Sequence, residues 1–195
     1  MALPELERVL TLLIAASGLR ISEALGLQWQ DVDYANQRIN LRRVWVDNKV
    51  VEQMKTEQSA APATMSPTLA EVLKSWHQQT PYAQESDWIF ASSRLKGRQP
   101  RTASILAADH LHPAAAAAGV LLKRGQRFGF HNLRHSLATF LVNREMDTKT
   151  VQGLLRHADA HTTLQLYAQS VNSSMVEAQE SMLKAILRNG SNAVN

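Results

Sequence analysis

Apolar residues recur at helical spacing along most of the chain. Leu6, Val9, Leu10, Leu13 and Ile14 open the series, and Gly18 follows it. Such spacing indicates amphipathic helices, and glycine favours a helix end. It predicts helices over 4–16, 22–28, 67–76, 102–118, 131–144, 147–155 and 175–187, with a further short helix after 157. Ser22 and Asp147 are expected to cap two of them. Pro113 is expected to start or kink a helix.

Between the second and third helices the period changes to that of strands. Residues 39–46 alternate, Asp47 and Asn48 form a turn signal, and Val50 resumes the pattern. Residues 63–65 can add a third strand, and 88–90 a short separate one. We therefore expect one small antiparallel sheet, with Lys55 in or beside its second connection. The predicted class is mainly α with a small antiparallel β-sheet (α+β).

Length and composition indicate a globular protein of one domain, or of one domain with appendages. The 195 residues are 45% hydrophobic and 19% charged, and none is cysteine. Residues 9–18 form the most apolar run, which is too short to cross a bilayer. No basic segment precedes that run as a secretion signal requires. We expect a cytoplasmic protein without disulfides.

A modest positive charge is compatible with a nucleic-acid partner. Lys and Arg exceed Asp and Glu by 21 to 17, which gives a formal net charge of +4. The basic residues cluster in 38–43, 94–101 and 123–127. These clusters could contact phosphates, although such runs are also common on solvated surfaces.

The stretch "HNLRHSLATFLVNR" (131–144) places unusual side chains at the start of an apolar helix. His131 and Arg134 are three residues apart, so they come together beside the apolar stripe. This is either a polar helix start or an anion site. His135 could pair with His131 in a metal site, but nothing supplies a convincing third ligand. We expect His135 to be a partly buried structural residue.

Three other stretches accompany it: "SGLRISEALGLQW" (17–29), "MKTEQSA" (54–60) and "LLRHADAHTTLQLYAQ" (154–169). Together the four resemble the catalytic domain of the tyrosine recombinases, the phage integrase family. The resemblance implies the fold of that catalytic domain, of the DNA breaking-rejoining enzyme type, and no metal or other cofactor. It implies a catalytic set of Arg20, Lys55, His131, Arg134, His157 and the nucleophile Tyr167. One departure is Arg156, where the family usually has glycine.

The two arginines suit phosphodiester chemistry independently of the resemblance. The nonbridging oxygens gain negative charge during attack, and a guanidinium can bind them with paired hydrogen bonds. Arg20 and Arg134 are the candidates for this role. Glu23 is expected to orient Arg20 rather than to react, although an exposed Arg20–Glu23 ion pair is the simpler alternative.

The remaining residues would move protons. A phenol of pKa about 10 needs a proton acceptor at neutral pH, so Tyr167 is paired with His131 as the base. His157 would donate a hydrogen bond to a phosphate oxygen. Lys55 would protonate the departing 5′-oxygen.

The resemblance also implies an organisation and partners. We expect a catalytic domain over 1–170 and a tail helix over 171–195, packed on its own domain or exchanged between protomers. We expect the N-terminal core-binding domain of family members to be absent, and the chain to be a fragment. The expected partner is double-stranded DNA. We expect the protein to be a monomer when free and a tetramer on DNA, and we expect no membrane partner. The predicted function is site-specific DNA recombination for a mobile element. The alternatives are an inactive DNA-binding relative and type IB topoisomerase-like relaxation.

Overall fold

The first helix forms the centre of the structure. The computed structural model describes residues 3–52, 61–120 and 128–156 of the chain. Helix α1 (Glu5–Ser17) buries most of its apolar stripe: Val9, Leu10 and Leu13 are fully inaccessible, and Leu6 is partly buried. It ends at Gly18, which adopts the left-handed conformation at φ 64° and donates its N–H to the Ile14 carbonyl. The predicted first helix and its end are confirmed.

Helix α2 (Ile21–Leu25) follows after a tight turn and is shorter than predicted. Ser22 does not cap it. Arg20 is the N-cap residue, and its backbone N–H donates to Glu23 Oε2 at 2.8 Å. The helix therefore begins one residue earlier, because a carboxylate three residues on satisfies the free N–H.

The strands form two small antiparallel sheets rather than one. Strands β1 (Val32–Asp33), β2 (Arg38–Ile39) and β5 (Ala63–Thr64) pair in the order β1-β2-β5. Strands β3 (Val44–Val46) and β4 (Lys49–Val51) form a separate hairpin. Its two turn residues, Asp47 and Asn48, both have positive φ, as the predicted turn requires. The single sheet was thus wrong in its pairing, and the predicted strand at 88–90 is reduced to an isolated bridge between Gln28 and Trp88.

Two helical regions cover α1. Helix α3 (Pro67–Gln79) is capped by Ser66, whose hydroxyl accepts from the Leu69 N–H. Helix α4 (Ala103–Ile105) continues through a π-helical segment (Leu106–Leu111) into α5 (His112–Ala117). Pro113 lies in the first turn of α5, where it has no N–H to donate. The wider helical turn before it accommodates that loss, so the predicted interruption is confirmed.

The last two described helices complete the core. Helix α6 (Phe130–Asn143) packs on α1, and α7 (Thr148–Leu155) packs on α6. Asp147 caps α7 by accepting from the Thr150 N–H at 3.0 Å, as predicted. A small second apolar cluster of Ala138, Val151 and Leu155 joins α6 to α7. The chain is therefore mainly α-helical with small antiparallel sheets, as the sequence predicts.

Within the described ranges 3–52, 61–120 and 128–156, no helix has the length and hydropathy needed to span a membrane.

Candidate active site

Arg20 lies in the turn that joins α1 to α2. Its Nη1 donates to Glu23 Oε1 at 2.8 Å, while its backbone N–H binds the other oxygen of the same carboxylate. The Arg20 side chain is 44% exposed, whereas that of Glu23 is only 2% exposed. One edge of the guanidinium is thus held by a buried anion and the rest is open to solvent. The predicted orienting contact of Glu23 with Arg20 is present.

Arg134 lies within the buried face of α6, not beside it as predicted. It is 4% exposed, and its guanidinium donates to the carbonyls of Gly18 and Leu155. Arg134 therefore joins three elements: the end of α1, α6 and the end of α7. These two carbonyls supply the hydrogen bonds that a buried guanidinium requires. Phe140, an apolar residue of the same helix, is 54% exposed.

The surroundings of Arg134 destabilise its charged form and so lower its pKa. Burial lowers its pKa, the nearby positive charge of Arg20 lowers it further, and Arg156 adds to the effect, while Glu23 opposes it. The resulting pKa is about 10, so the side chain stays charged at neutral pH. An additional anion nearby would relieve this repulsion.

His131 lies one helical turn before His135 on α6. Their rings meet edge to face, with 4.8 Å between ring centroids. Partial burial lowers the pKa of His131, and the charges of His135, Arg134 and Arg20 lower it further. A lowered pKa leaves the imidazole neutral at neutral pH, so it has a lone pair that can accept a proton. His135 is exposed rather than partly buried, which corrects that expectation.

Arg156 completes the group from the end of α7. It takes the left-handed conformation, with φ 50° and ψ 46°, so the turn expected of a glycine is kept. Its side chain is buried and its Nη2 donates to Glu23 Oε2 at 2.6 Å. The departure from the family motif therefore places a second guanidinium, besides that of Arg20, against the Glu23 carboxylate. Sequence reasoning noted the substitution but gave no reason to expect this contact.

The described part of the site is strongly electropositive. The guanidinium groups of Arg20 and Arg156 pair with the carboxylate of Glu23, and that of Arg134 lies within its electrostatic influence, so the group carries a surplus of two positive charges. Such a surplus beside a neutral histidine favours binding of an anion. Of the two alternatives for the 131–144 stretch, this geometry favours the anion site.

Other basic residues are engaged within the fold. Arg43 pairs with the buried Asp31 at 2.6 Å and Arg38 with Asp33 at 3.0 Å. Arg101 donates to Glu7 at 2.9 Å. The residues Arg94, Lys96 and Arg98 are exposed, and Arg98 Nε donates to the Leu95 carbonyl at 3.3 Å.

Lys55, His157 and Tyr167 lie outside the described residues, as do the cluster 123–127 and the helices predicted after residue 157. In the described ranges, no three His, Cys, Asp or Glu side chains are grouped so that they could hold a metal ion.

Gly18 offers a direct test of the turn that supports the site. A Cβ there would lie 2.8 Å from Leu155 Cδ2 at a positive φ. We expect Gly18→Ala to lower the free energy of unfolding, measured in urea, by about 1–3 kcal/mol. Gly119→Ala is the matched control, because Gly119 also has positive φ but nothing lies within 4 Å of its Cβ position. Equal losses in both variants would show that Leu155 makes no steric contribution.

Comparison with known proteins identifies the family. The model of the phage integrase family matches residues 2–173, so the chain belongs to this family.

Curated relatives of this chain are named tyrosine recombinases. The chain is 26% identical to tyrosine recombinase XerA of Pyrococcus furiosus over 89% of its own length and 54% of the relative. It is 29% identical to tyrosine recombinase XerC of Corynebacterium efficiens, over 85% of this chain and 47% of the relative. The chain thus spans about half the length of these curated relatives.

Solved structures show the same fold. An integrase of the transposon Tn1549, in complex with transposon right end DNA, superposes with a TM-score of 0.67 at 21% identity. That match covers 88% of this chain and 57% of the other. The XerA recombinase gives a TM-score of 0.64 at 22% identity, over 90% and 57% of the two chains. The predicted tyrosine recombinase fold is therefore confirmed.

Proposed function

We propose that this chain is the catalytic domain of a site-specific DNA recombinase that cuts and rejoins strands through a 3′-phosphotyrosine. The observation that carries the proposal is the group of three guanidiniums around one buried carboxylate, beside a histidine of lowered pKa. A scissile phosphodiester is an anion that would fit this charge surplus. Membership of the phage integrase family supports recombination over DNA binding alone or DNA relaxation.

Arg20 and Arg134 would bind the nonbridging oxygens of the phosphate. Both guanidiniums are fixed before the substrate arrives, Arg20 by Glu23 and Arg134 by two backbone carbonyls. A guanidinium has more N–H donors than these contacts use. Preorganised donors stabilise the charge that develops during attack because they need not reorient.

Tyr167 would attack the phosphorus through its phenolic oxygen. The new Tyr167 O–P bond replaces the bond from phosphorus to the 5′-oxygen. His131 would accept the phenolic proton, Lys55 would give a proton to the departing 5′-oxygen, and His157 would donate a hydrogen bond to the phosphate. The phosphotyrosine keeps the energy of the broken bond, so a 5′-hydroxyl can reverse the step without an external energy source. The roles of Tyr167, Lys55 and His157 rest on the family resemblance.

The proposed partner is double-stranded DNA, engaged by four copies of the protein on a recombination site and by a monomer in its absence. The 171–195 tail would link neighbouring copies. A solved structure with the same fold is a transposon integrase in complex with transposon end DNA, which supports a role in the recombination of a mobile element. Such an enzyme would act in the cytoplasm of a bacterial cell, where its DNA lies.

A trapping experiment tests this function. The purified chain is incubated with a library of randomised duplexes that are nicked beside the cleavage position, so that the cut fragment diffuses away. We expect covalent protein–DNA adducts that resist detergent, and mass spectrometry should place the DNA on the peptide that contains Tyr167. DNA binding without adducts would instead identify an inactive relative. Relaxation of supercoiled DNA with no preferred sequence would identify a topoisomerase.

The pH dependence of cleavage tests His131 as the base. Because burial and nearby positive charges lower its pKa, the neutral form should already dominate at neutral pH. The cleavage rate should rise with pH through this lowered pKa and then level off. His135→Gln removes one of the charges that lower the pKa, so it should move the acidic limb to higher pH. An acidic limb that stays in place in this variant would contradict the coupling between the two histidines.

A further inference from the structure

Arg156 occupies a backbone position that disfavours it. It ends α7 with φ 50° and ψ 46°, in the left-handed region that glycine enters most easily. The N–H of Arg156 donates to the Gly153 carbonyl, so the turn closes normally. A large side chain in this conformation calls for an explanation in the contacts that the side chain makes.

Those contacts lie inside the site rather than at the surface. The Arg156 side chain is 2% exposed, and its Nη2 donates to Glu23 Oε2 at 2.6 Å. Its Nε and Nη1 are buried and find no hydrogen-bond partner within the described part of the chain. Burying a guanidinium with one hydrogen bond is unfavourable on its own.

The accepting carboxylate is the one that holds Arg20. Glu23 Oε1 accepts from Arg20 Nη1, and Oε2 accepts both from the Arg20 backbone and from Arg156. Without Arg156, the Glu23 carboxylate would keep its two hydrogen bonds from Arg20 but lose the one that comes from the end of α7. With Arg156, the Glu23 carboxylate is also held from the interior of the fold, so its orientation toward Arg20 is fixed.

We infer that Arg156 is a positioning residue, which acts through Glu23 to fix the Arg20 guanidinium for the scissile phosphate. The inference rests on the proposed function for its substrate. The hydrogen bond from Arg156 Nη2 to Glu23 Oε2 makes Glu23 the group through which Arg156 acts on Arg20. The site thus contains an interior guanidinium in place of the usual glycine.

The decisive variants are Arg156→Gly and Arg156→Lys. Glycine suits the backbone conformation, so Arg156→Gly should keep the fold while removing the clamp. Its single-turnover cleavage rate at saturating duplex, selected from the trapped library, should fall about tenfold or more, as expected for one lost charge-assisted hydrogen bond. Its dissociation constant for the duplex should stay unchanged. Lysine can still donate to Glu23 Oε2, so Arg156→Lys should keep most of the rate.

A double variant separates the clamp from a direct phosphate contact. In a Glu23→Gln background, Arg156→Gly should cause little further loss, because the two residues act in one chain of contacts. A second full loss in that background would show that Arg156 touches the phosphate, and would overturn the inference. A wild-type rate in Arg156→Gly would also overturn it. Glu145→Gly is the matched control, because Glu145 is exposed and has positive φ after α6.

A measurement without DNA keeps this inference separate from the proposed function. Nuclear magnetic relaxation of the Arg20 Nε–H should show an ordered guanidinium in the wild-type chain and a mobile one in Arg156→Gly. Equal order in both proteins would refute positioning even if the wild-type chain forms adducts. If the wild-type chain forms no adducts, the proposed function fails, and the relaxation result still decides whether Arg156 holds Arg20.

Discussion

Tyr167→Phe should abolish covalent protein–DNA adducts while leaving DNA affinity unchanged. The substitution removes only the phenolic oxygen, which is the proposed nucleophile, and keeps the aromatic ring. No other group in the proposed site could form the same phosphodiester with the DNA 3′-end. The loss should therefore be complete within the detection limit of a denaturing gel. Binding is measured in parallel by fluorescence anisotropy with the same duplex.

The chain provides a matched control for this substitution, since it has three tyrosines. Tyr34 is a poor nucleophile, because its hydroxyl is buried and burial raises its pKa. The ring of Tyr82 lies beside Gly97, and its backbone carbonyl accepts a hydrogen bond from Trp29 Nε1–H. Tyr82→Phe should leave adduct formation at the wild-type level. Adducts that persist in Tyr167→Phe would show that another residue attacks, and the trapped peptide would name it.

Local features of the fold were predictable because their causes lie close together in the sequence. The stripe of α1 follows from the spacing of Val9, Leu10 and Leu13, and Asp147 caps α7 through a residue three positions away. The hairpin turn follows from Asp47 and Asn48, which tolerate positive φ. Each of these features needs only a few neighbouring residues.

Features that depend on distant partners were missed. Strand β2 pairs with β1 and with β5, so its sheet excludes the β3–β4 hairpin, and no local pattern indicates that choice. Arg134 is buried because carbonyls at Gly18 and Leu155 receive its N–H groups. Polarity alone placed it outside the core. A backbone carbonyl has no side-chain signature, so periodicity could not reveal these acceptors.

The candidate site was predictable to the extent that it follows motifs. Arg20, His131 and Arg134 were named from the motifs, and the structure brings their charges within reach of one another. The inward orientation of the Arg156 side chain was not predictable, because it depends on the burial of its partner Glu23. One signal was available: a long basic side chain at a position that favours glycine.

Arg134→Lys should reduce both stability and cleavage, because the arginine serves two purposes. In the fold, its guanidinium reaches two carbonyls on different elements, and a single ammonium at that position cannot reproduce the planar fork. We expect the free energy of unfolding in urea to fall by about 1.5–3 kcal/mol, the range for a lost hydrogen bond to a charged group. In the reaction, loss of a preorganised donor should slow cleavage by about 100-fold or more.

The pH dependence of Arg134→Lys separates charge from geometry. Burial and the charges of Arg20 and Arg156 already lower the pKa of Arg134 to about 10. A lysine begins from a lower ordinary pKa than arginine and meets the same environment, so its charge should be lost as the pH rises through a depressed pKa. The cleavage rate of the variant relative to wild type should therefore fall as the pH is raised above neutrality. Arg144→Lys, at the exposed end of the same helix, should show neither the rate loss nor this trend. If the cleavage rate of Arg134→Lys relative to wild type stays constant with pH, loss of the planar guanidinium alone accounts for the slower cleavage.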